Sequence, residues 1–241
     1  VPLRINRSKL DMRCSPRMQM AILVPAIGHG NTEIHSHAKM PAGESEGEDI
    51  MADLLGMDPG RIGRLRSPDR LAYFDPARIW EVLQPGPSCT LVDIGAGVGF
   101  LTLPFAKAYP GAKAYGCDIL EGMVGLLAED AAAQGLDNLQ ALLMQPGAID
   151  LPDGSADLIT MAQLHHELDA PEPLMAECHR LLAPGGTVAV IDWKDEENGK
   201  SPAKGRRIPE ATIRAHLTGA GFKDIQSHDI YEFHGFVTAQ A

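Results

Sequence analysis

The 241-residue sequence predicts a doubly wound α/β fold, a mostly parallel sheet with helices on both faces. Three observations carry that prediction. Short apolar runs alternate with amphipathic segments from about residue 89 onward. The runs are rich in Val, Ile and Leu at consecutive positions, as strands covered on both faces require. And the first run ends in L-V-D-I-G-A-G-V-G-F, residues 91–100, where glycine stands at every second position: Gly95, Gly97 and Gly99. Such a turn takes a buried strand into a helix beside a bound nucleoside, because side chains there would strain the backbone or fill the ligand's space.

The elements follow in order. Glu48–Leu55 reads as a short helix stopped by the Gly56–Gly60 region, and Asp75-Pro76 caps a helix whose apolar face is Ile79, Trp80, Val82 and Leu83. Pro85-Gly86-Pro87 ends it. Strand one is Thr90–Ile94, followed by a helix over Phe100–Ala108 and a turn at Pro110-Gly111. Strand two, Lys113–Cys117, ends at Asp118; the helix Met123–Ala133 is closed by Gly135, and Leu139–Met144 gives strand three. The turn Pro152-Asp153-Gly154 leads into strand four, Ala156–Ala162. A helix over Pro173–Leu182 stops at Pro184-Gly185-Gly186 before strand five, Thr187–Asp192. A helix Ile208–Gly219 ends at Gly221, and two strands, Lys223–Ile230 and Glu232–Thr238, are expected to pair at the sheet edge. There is no internal repeat.

Residues 1–45 lack sustained periodicity and are rich in Gly, Pro, Ser and His, so they are expected to form an extension with little fixed structure. Arg4, Arg7, Lys9, Arg13 and Arg17 precede a short apolar stretch, Met20–Ile27, that superficially resembles a secretory signal. It runs into G-H-G-N-T-E-I-H-S-H without a small-residue cleavage site, and an upstream or alternative start is the preferred expectation. His29, His35 and His37 suggest a metal cluster, but no second ligand group with zinc-like spacing accompanies them, so no metal is expected. The division is an extension over 1–45, a helical lid over 46–88 and a cofactor-binding domain over 89–241.

Composition narrows the partners. A net charge of −11 argues against a nucleic-acid backbone as the main partner, and an aromatic content of 5% gives little base-stacking surface. Apolar content of 44% suffices for a large core, and no run approaches the ~18 apolar residues of a membrane span. Cys14, Cys89, Cys117 and Cys178 lie far apart without a CxxC pair, which fits a reducing, cytoplasmic compartment.

Two nucleoside readings compete for the glycine turn. A dinucleotide site needs G-x-G-x-x-G, but here Phe100 stands where the third glycine is required and Gly99 comes one residue early. Asp93, before the glycines, suits an ammonium or ordered backbone better than a pyrophosphate. Asp118, ending strand two, is placed to accept hydrogen bonds from both hydroxyls of a ribose, or to cap the next helix.

The run V-D-I-G-A-G-V-G-F, then G-C-D-I, then L-P-D-G-S-A-D-L-I-T-M-A-Q-L-H-H, then R-L-L-A-P-G-G-T-V-A-V-I-D-W resembles the class I S-adenosylmethionine-dependent methyltransferases over roughly residues 65–240. The resemblance implies a Rossmann-like sheet of seven strands with the last inserted antiparallel. It implies cofactor contacts from Asp93, Gly95, Ala96, Gly97 and Gly99, and from Asp118 and Ile119 at ribose and adenine. Many relatives carry an acid shortly before L-P-D-G-S; here Gly147 takes that place, leaving the backbone of Gly147 and Ala148, or Asp150, for the adenine end. Near the transferred methyl the resemblance puts Gln163 and the pair His165 and His166, either of which is a candidate general base. Asp192 and Trp193 end strand five on the ligand side and are candidates for the substrate pocket; Tyr73 lies in the lid segment. No set of thiolates suggests arsenite as the acceptor. The implied function is methyl transfer to a small molecule. The alternatives are a nicotinamide-dependent oxidoreductase on a similar sheet and a cofactor-binding regulatory protein without turnover.

Overall fold

The computed structural model describes residues 58–241. The expected helix at Glu48–Leu55, the basic and apolar N-terminal stretch, Cys14 and the His29/His35/His37 tract lie outside the described residues. Seven strands form one sheet: β1 (Thr90–Ile94), β2 (Lys113–Asp118), β3 (Leu139–Leu143), β4 (Ala156–Ala162), β5 (Leu182–Trp193), β6 (Lys223–His228) and β7 (His234–Gln240). Their spatial order is β3-β2-β1-β4-β5-β7-β6. The pairs among β1 to β5 are parallel, while β7 runs antiparallel to both β5 and β6. The expected antiparallel insertion is therefore present.

The period-two alternation of the strands divides the core between two faces. Val92, Ile94, Ile159, Met161, Val188 and Val190 point to one, where they meet α5 (Glu172–Leu181) and α6 (Glu210–Gly219). Leu91, Leu158, Ala189 and Ile191 point to the other, against α2 (Pro76–Leu83) and α3 (Thr102–Ala108). α4 (Glu121–Ala133) covers β2 and β3, and a short α1 (Pro59–Leu65) precedes a 3-10 turn over Pro68–Ala72.

Local chemistry sets the boundaries. Asp75 accepts from the Ala77 amide and Pro76 opens α2, as the sequence predicts. Gly135 and Gly221 are left-handed, with φ 63° and 95°, and the amides of Leu136 and Phe222 reach back to Ala131 and Leu217. These are Schellman ends, which glycine makes without strain.

Several boundaries shift by one or two residues from the sequence reading, and three departures have a physical reason. α3 begins at Thr102 rather than Phe100, because the glycine turn continues through Leu101. β5 begins at Leu182, so Pro184-Gly185-Gly186 lies in an irregular strand start instead of a separate stop. The β4–β5 register shifts between Ala156 and Leu158, a bulge that absorbs the extra residues. The last two strands are shorter at the turn between them than expected, because Tyr231 leaves the ladder to enter the core beside Phe74.

The glycines of the turn are not equivalent. Gly97 has φ +53°, and a Cβ there meets nothing within 4 Å. Gly99 has φ +80°, and its Cβ would lie 2.5 Å from Leu127 and 2.8 Å from Leu103. Leu127 is fully buried on α4, and its other methyl already fills the space beside Gly116. Gly99→Ala is therefore expected to cost roughly 2–4 kcal/mol, the left-handed penalty plus overpacking, and Gly97→Ala only about 1–2. Equal losses in denaturant titrations of the two variants would refute this division between packing and open space.

Candidate functional site

The parallel register brings the carboxyl ends of β1, β2 and β4 together, since Ile94 lies beside both Cys117 and Met161. Ligands of open α/β sheets bind outside this edge, where the strand order reverses. Here β1 connects toward β2 on one side and pairs with β4 on the other. The amides of Gly95 and Ala96 both donate to the Cys117 carbonyl, which pins the start of the glycine turn across the end of β2.

Asp118 finishes β2 and faces the turn. One carboxylate oxygen accepts from the Gly97 amide at 2.9 Å and the other from Leu120 at 3.0 Å. Of the two roles expected of it, the structure shows the cap: the carboxylate steadies the start of α4 and also holds the glycine turn by the Gly97 amide. Burial raises its pKa above the ordinary carboxylate value, although the backbone donors pull the other way. Ile119 follows it and packs against the core.

Asp93 lies beneath the turn rather than on its open side. It is 2% exposed, and its two oxygens accept from Thr102 at 2.5 Å and Thr160 at 2.7 Å. Burial pushes its pKa up to about 6 against the pull of those hydroxyls. Its place suits it to fastening β1, β4 and α3 together under the glycines.

At the other end, Gly147 is left-handed, with φ 77°. Gln145 and Ala148 exchange both backbone hydrogen bonds around it at 3.0 Å, so Ala148 spends its amide and carbonyl on the turn itself. Asp150 is exposed.

Past β4 the backbone is unusual. Gln163 adopts φ +54°, a conformation that non-glycine residues enter at a cost and that clusters at functional sites. Its amide donates to the Ile191 carbonyl at 2.8 Å. Leu164, next along, packs where a side chain on Gly95 would go. His165–Glu167 then form a single 3-10 turn, and the two histidines part company. His165 is buried and lies 2.9 Å from His216 on α6; burial drops its pKa to about 4. His166 sits between carboxylates, Nδ1 at 2.7 Å from Asp192 and Nε2 at 3.1 Å from Glu167. Burial alone would depress its pKa; the hydrogen bonds and charges of Asp192 and Glu167 outweigh that and push it up to about 9. Glu167 is in turn bonded to Arg206 at 2.7 Å. Asp192 faces this network, accepting also from the amides of His166 and Trp193, and is 1% exposed. Sequence spacing put Asp192 at a pocket wall; its carboxylate is turned inward.

Residues 92–190 match a family profile described as a methyltransferase domain. The structure superposes on a SAM-dependent methyltransferase from Aquifex aeolicus with a TM-score of 0.71, at 32% identity, covering 76% of this chain and 98% of that one. The chain belongs to the S-adenosylmethionine-dependent methyltransferases. Curated relatives include a demethylmenaquinone methyltransferase of Thermus thermophilus, 30% identical over 45% of this chain and 49% of its own length. A ubiquinone/menaquinone biosynthesis C-methyltransferase of Cereibacter sphaeroides is 30% identical over 62% of this chain and 56% of its own. The chain thus spans about half the length of the curated relatives it matches. Family membership decides between the two nucleoside readings of the glycine turn in favour of the sulfonium nucleoside.

This methyltransferase also holds two side chains at its centre that the sequence reading passed over. Arg70, in the 3-10 turn of the lid, is 9% exposed. Its guanidinium lies 3.8 Å over the Phe100 ring and donates to the Leu65 carbonyl at 2.7 Å and to Gln163 Oε1 at 3.0 Å. His234, at the start of β7, is fully buried, and its Nε2 lies 2.8 Å from Gln163 Nε2. Arg70 only donates, so Gln163 must offer it oxygen and turn its NH₂ to His234; the imidazole then accepts at Nε2 and carries its proton on Nδ1. Burial lowers the His234 pKa to about 4, so the ring is neutral. Phe74 stacks on it at 4.5 Å and Trp193 packs against it, tilted, at 4.2 Å, while Tyr73 lies 6.4 Å from Trp193. One signal for Arg70 was present in S-P-D-R, three residues before Tyr73. Nothing local in the sequence marked His234, which reaches the site only through the antiparallel insertion of β7.

Among the described residues no group of three or more His, Cys, Asp or Glu side chains could hold a metal ion, and no helix is long and apolar enough to cross a membrane. Cys89, Cys117 and Cys178 are buried free thiols, all raised in pKa by burial.

Proposed function

We propose that the chain transfers a methyl group from S-adenosylmethionine to a small-molecule acceptor. The single observation that carries this reading is the open left-handed Gly97 facing the Asp118 carboxylate: a cradle that any side chain would fill, with an acid ready for ribose hydroxyls. In this reading the cofactor is held by Gly95, Ala96, Gly97 and Gly99 along the turn, by Asp118 and Ile119 at the ribose, and by the backbone of Gly147 toward the adenine, Ala148 serving to close that turn. Gln163 and Tyr73 close the methyl end. Asp93 acts beneath them by fixing the turn through Thr102 and Thr160. In this reading the domain at 89–241 carries the site and the described part of the lid, residues 58–88, covers it; the buried thiols suit a cytoplasmic setting.

S-adenosylmethionine when bound supplies an already activated methyl group, so the protein's task is alignment and exclusion of water. We infer that neither histidine after β4 is a general base. His166 is protonated at neutral pH by its two carboxylates, and His165 is turned into the core against His216. The pair instead shapes the turn that carries Gln163 and Leu164. Trp193 and Tyr73 wall the acceptor side, and Asp192 positions Trp193 and His166 from below. The quinone-pathway and other small-molecule methyltransferases among the relatives support an acceptor of that size.

Calorimetric titration with S-adenosylhomocysteine, S-adenosylmethionine and NAD is the direct test. Binding of both sulfur nucleosides without NAD binding is expected, followed by transfer of labelled methyl into cell extract. Tight NAD binding with no response to either sulfur nucleoside would overturn the proposal. Nucleoside binding with no methyl transferred into any extract would favour a regulatory protein.

A further inference from the structure

We propose that the methyl acceptor carries an anionic oxygen, and that Arg70 and Lys200 seat it against the aromatic wall of Tyr73, Trp193 and Phe233. This names the acceptor's chemical class and rests on the methyl-transfer reading.

The starting point is an imbalance of charge. The chain carries 32 acidic and 21 basic residues, and among the described residues four arginines pair with carboxylates, including Arg207, the one other arginine that is buried. Arg66 pairs with Asp130, Arg180 with Glu177 and Asp153, Arg206 with Glu167, and Arg207 with Glu197. Arg70 is as buried as Arg207, yet among the described residues it forms no ion pair. Its partners are oxygens of neutral groups: Leu65 O, Gln163 Oε1 and the Tyr73 side chain. A cation withdrawn from water without an anion is costly, and neutral acceptors together with the Phe100 face offset only part of that cost.

Lys200 brings a second, solvent-exposed cation from another element. It lies in the segment between β5 and α6, and its ammonium stands 4.9 Å from the Tyr73 ring and 5.8 Å from that of Phe233. It too forms no ion pair among the described residues. Tyr73 thus has Arg70 three residues before it in the lid, Lys200 over its ring, and Trp193 and Phe233 as ring neighbours. Two cations from distant parts of a strongly acidic chain converge on one aromatic wall beyond β4. That arrangement favours a planar ligand bearing negative charge, held by stacking on its faces and by charge-assisted hydrogen bonds at its oxygen. The position lies on the β4, β5 and β7 side of the glycine turn, away from Asp118 at the end of β2. The acceptor, rather than the ribose end of the cofactor, belongs there.

The test uses two matched probes, 4-hydroxybenzoate and its neutral isostere 4-hydroxybenzamide, titrated into protein saturated with S-adenosylhomocysteine. Wild type is expected to bind the benzoate roughly tenfold or more tightly than the amide, as a charge-assisted contact implies. Arg70→Gln is expected to erase most of that preference, Lys200→Gln to reduce it, and Arg70→Lys to keep part of it. If Arg70→Gln fails to fold, Arg70→Lys and Lys200→Gln still read the preference. A wild type that does not distinguish the probes, whether both bind or neither, overturns the proposal, as does a preference that survives Arg70→Gln. A parallel titration compares S-adenosylhomocysteine with methylthioadenosine, which lacks the amino-acid end. If Arg70→Gln weakens only the former, Arg70 serves the cofactor's own carboxylate and the proposal fails. Absence of S-adenosylhomocysteine binding to wild type would instead be a failure of the methyl-transfer reading.

Discussion

Asp192→Ala is expected to destabilise the protein by about 3–5 kcal/mol, because it leaves the buried His166 cation without its principal anion. The carboxylate accepts from the His166 ring at 2.7 Å, from the His166 amide at 2.9 Å and from the Trp193 amide at 2.7 Å, and it is 1% exposed. In a domain of this size that loss lowers the melting temperature by roughly 10 °C. The pH dependence supplies a second signature. The His166 pKa is raised from its ordinary 6.5 to about 9 in the folded state. Its contribution is therefore fully present below about pH 6.5 and is lost as pH rises through 9. The stability gap between wild type and Asp192→Ala should narrow between pH 6.5 and 9.5 in denaturant titrations. A gap that is constant or widens would mean that His166 is neutral and that the network is held by ordinary hydrogen bonds.

Asp118→Ala is expected to weaken S-adenosylhomocysteine binding by roughly 1–3 kcal/mol, or about 5- to 150-fold, measured by calorimetry. The acid lies between the two halves of the site: it receives the Gly97 amide on one oxygen and the Leu120 amide on the other. Removing it takes away a partner for the ribose and loosens the turn that shapes the cradle. Asp118→Asn separates these effects, since it keeps an acceptor for one amide while losing the charge. Affinity unchanged in both variants would reduce Asp118 to a cap at the start of α4.

Much of this architecture was legible because it depends on local pattern. Short continuous apolar runs gave β1, β2 and β4 to within a residue, and Gly135 and Gly221 marked helix ends that only a left-handed residue closes. The glycine turn was legible too, since Phe100 in place of a glycine is a matter of spacing. The bulged start of β5 was not, because Pro184-Gly185-Gly186 has the composition of a stop and only pairing with β4 makes it strand. The roles of His165 and His166 depended on which partners the fold delivers: a histidine in isolation advertises a base, whereas one between Asp192 and Glu167 is a fixed cation. Arg70, Gln163 and His234 come from the lid, the end of β4 and the start of β7. No local window contains all three.

The insertion of β7 between β5 and β6 has a consequence for the order in which the molecule is completed on the ribosome. As synthesis proceeds, β5 emerges with its Val188–Ile191 edge able to pair with β4 but not yet with anything on its far side. It stays open until residues 234–240 have been made and threaded in, antiparallel, between it and β6. The same residues bring His234 to the ring cluster around Trp193. Closure of the apolar edge and completion of the ring cluster are thus one event, so a nascent chain shields the far edge of β5 only when it also brings His234 against Trp193.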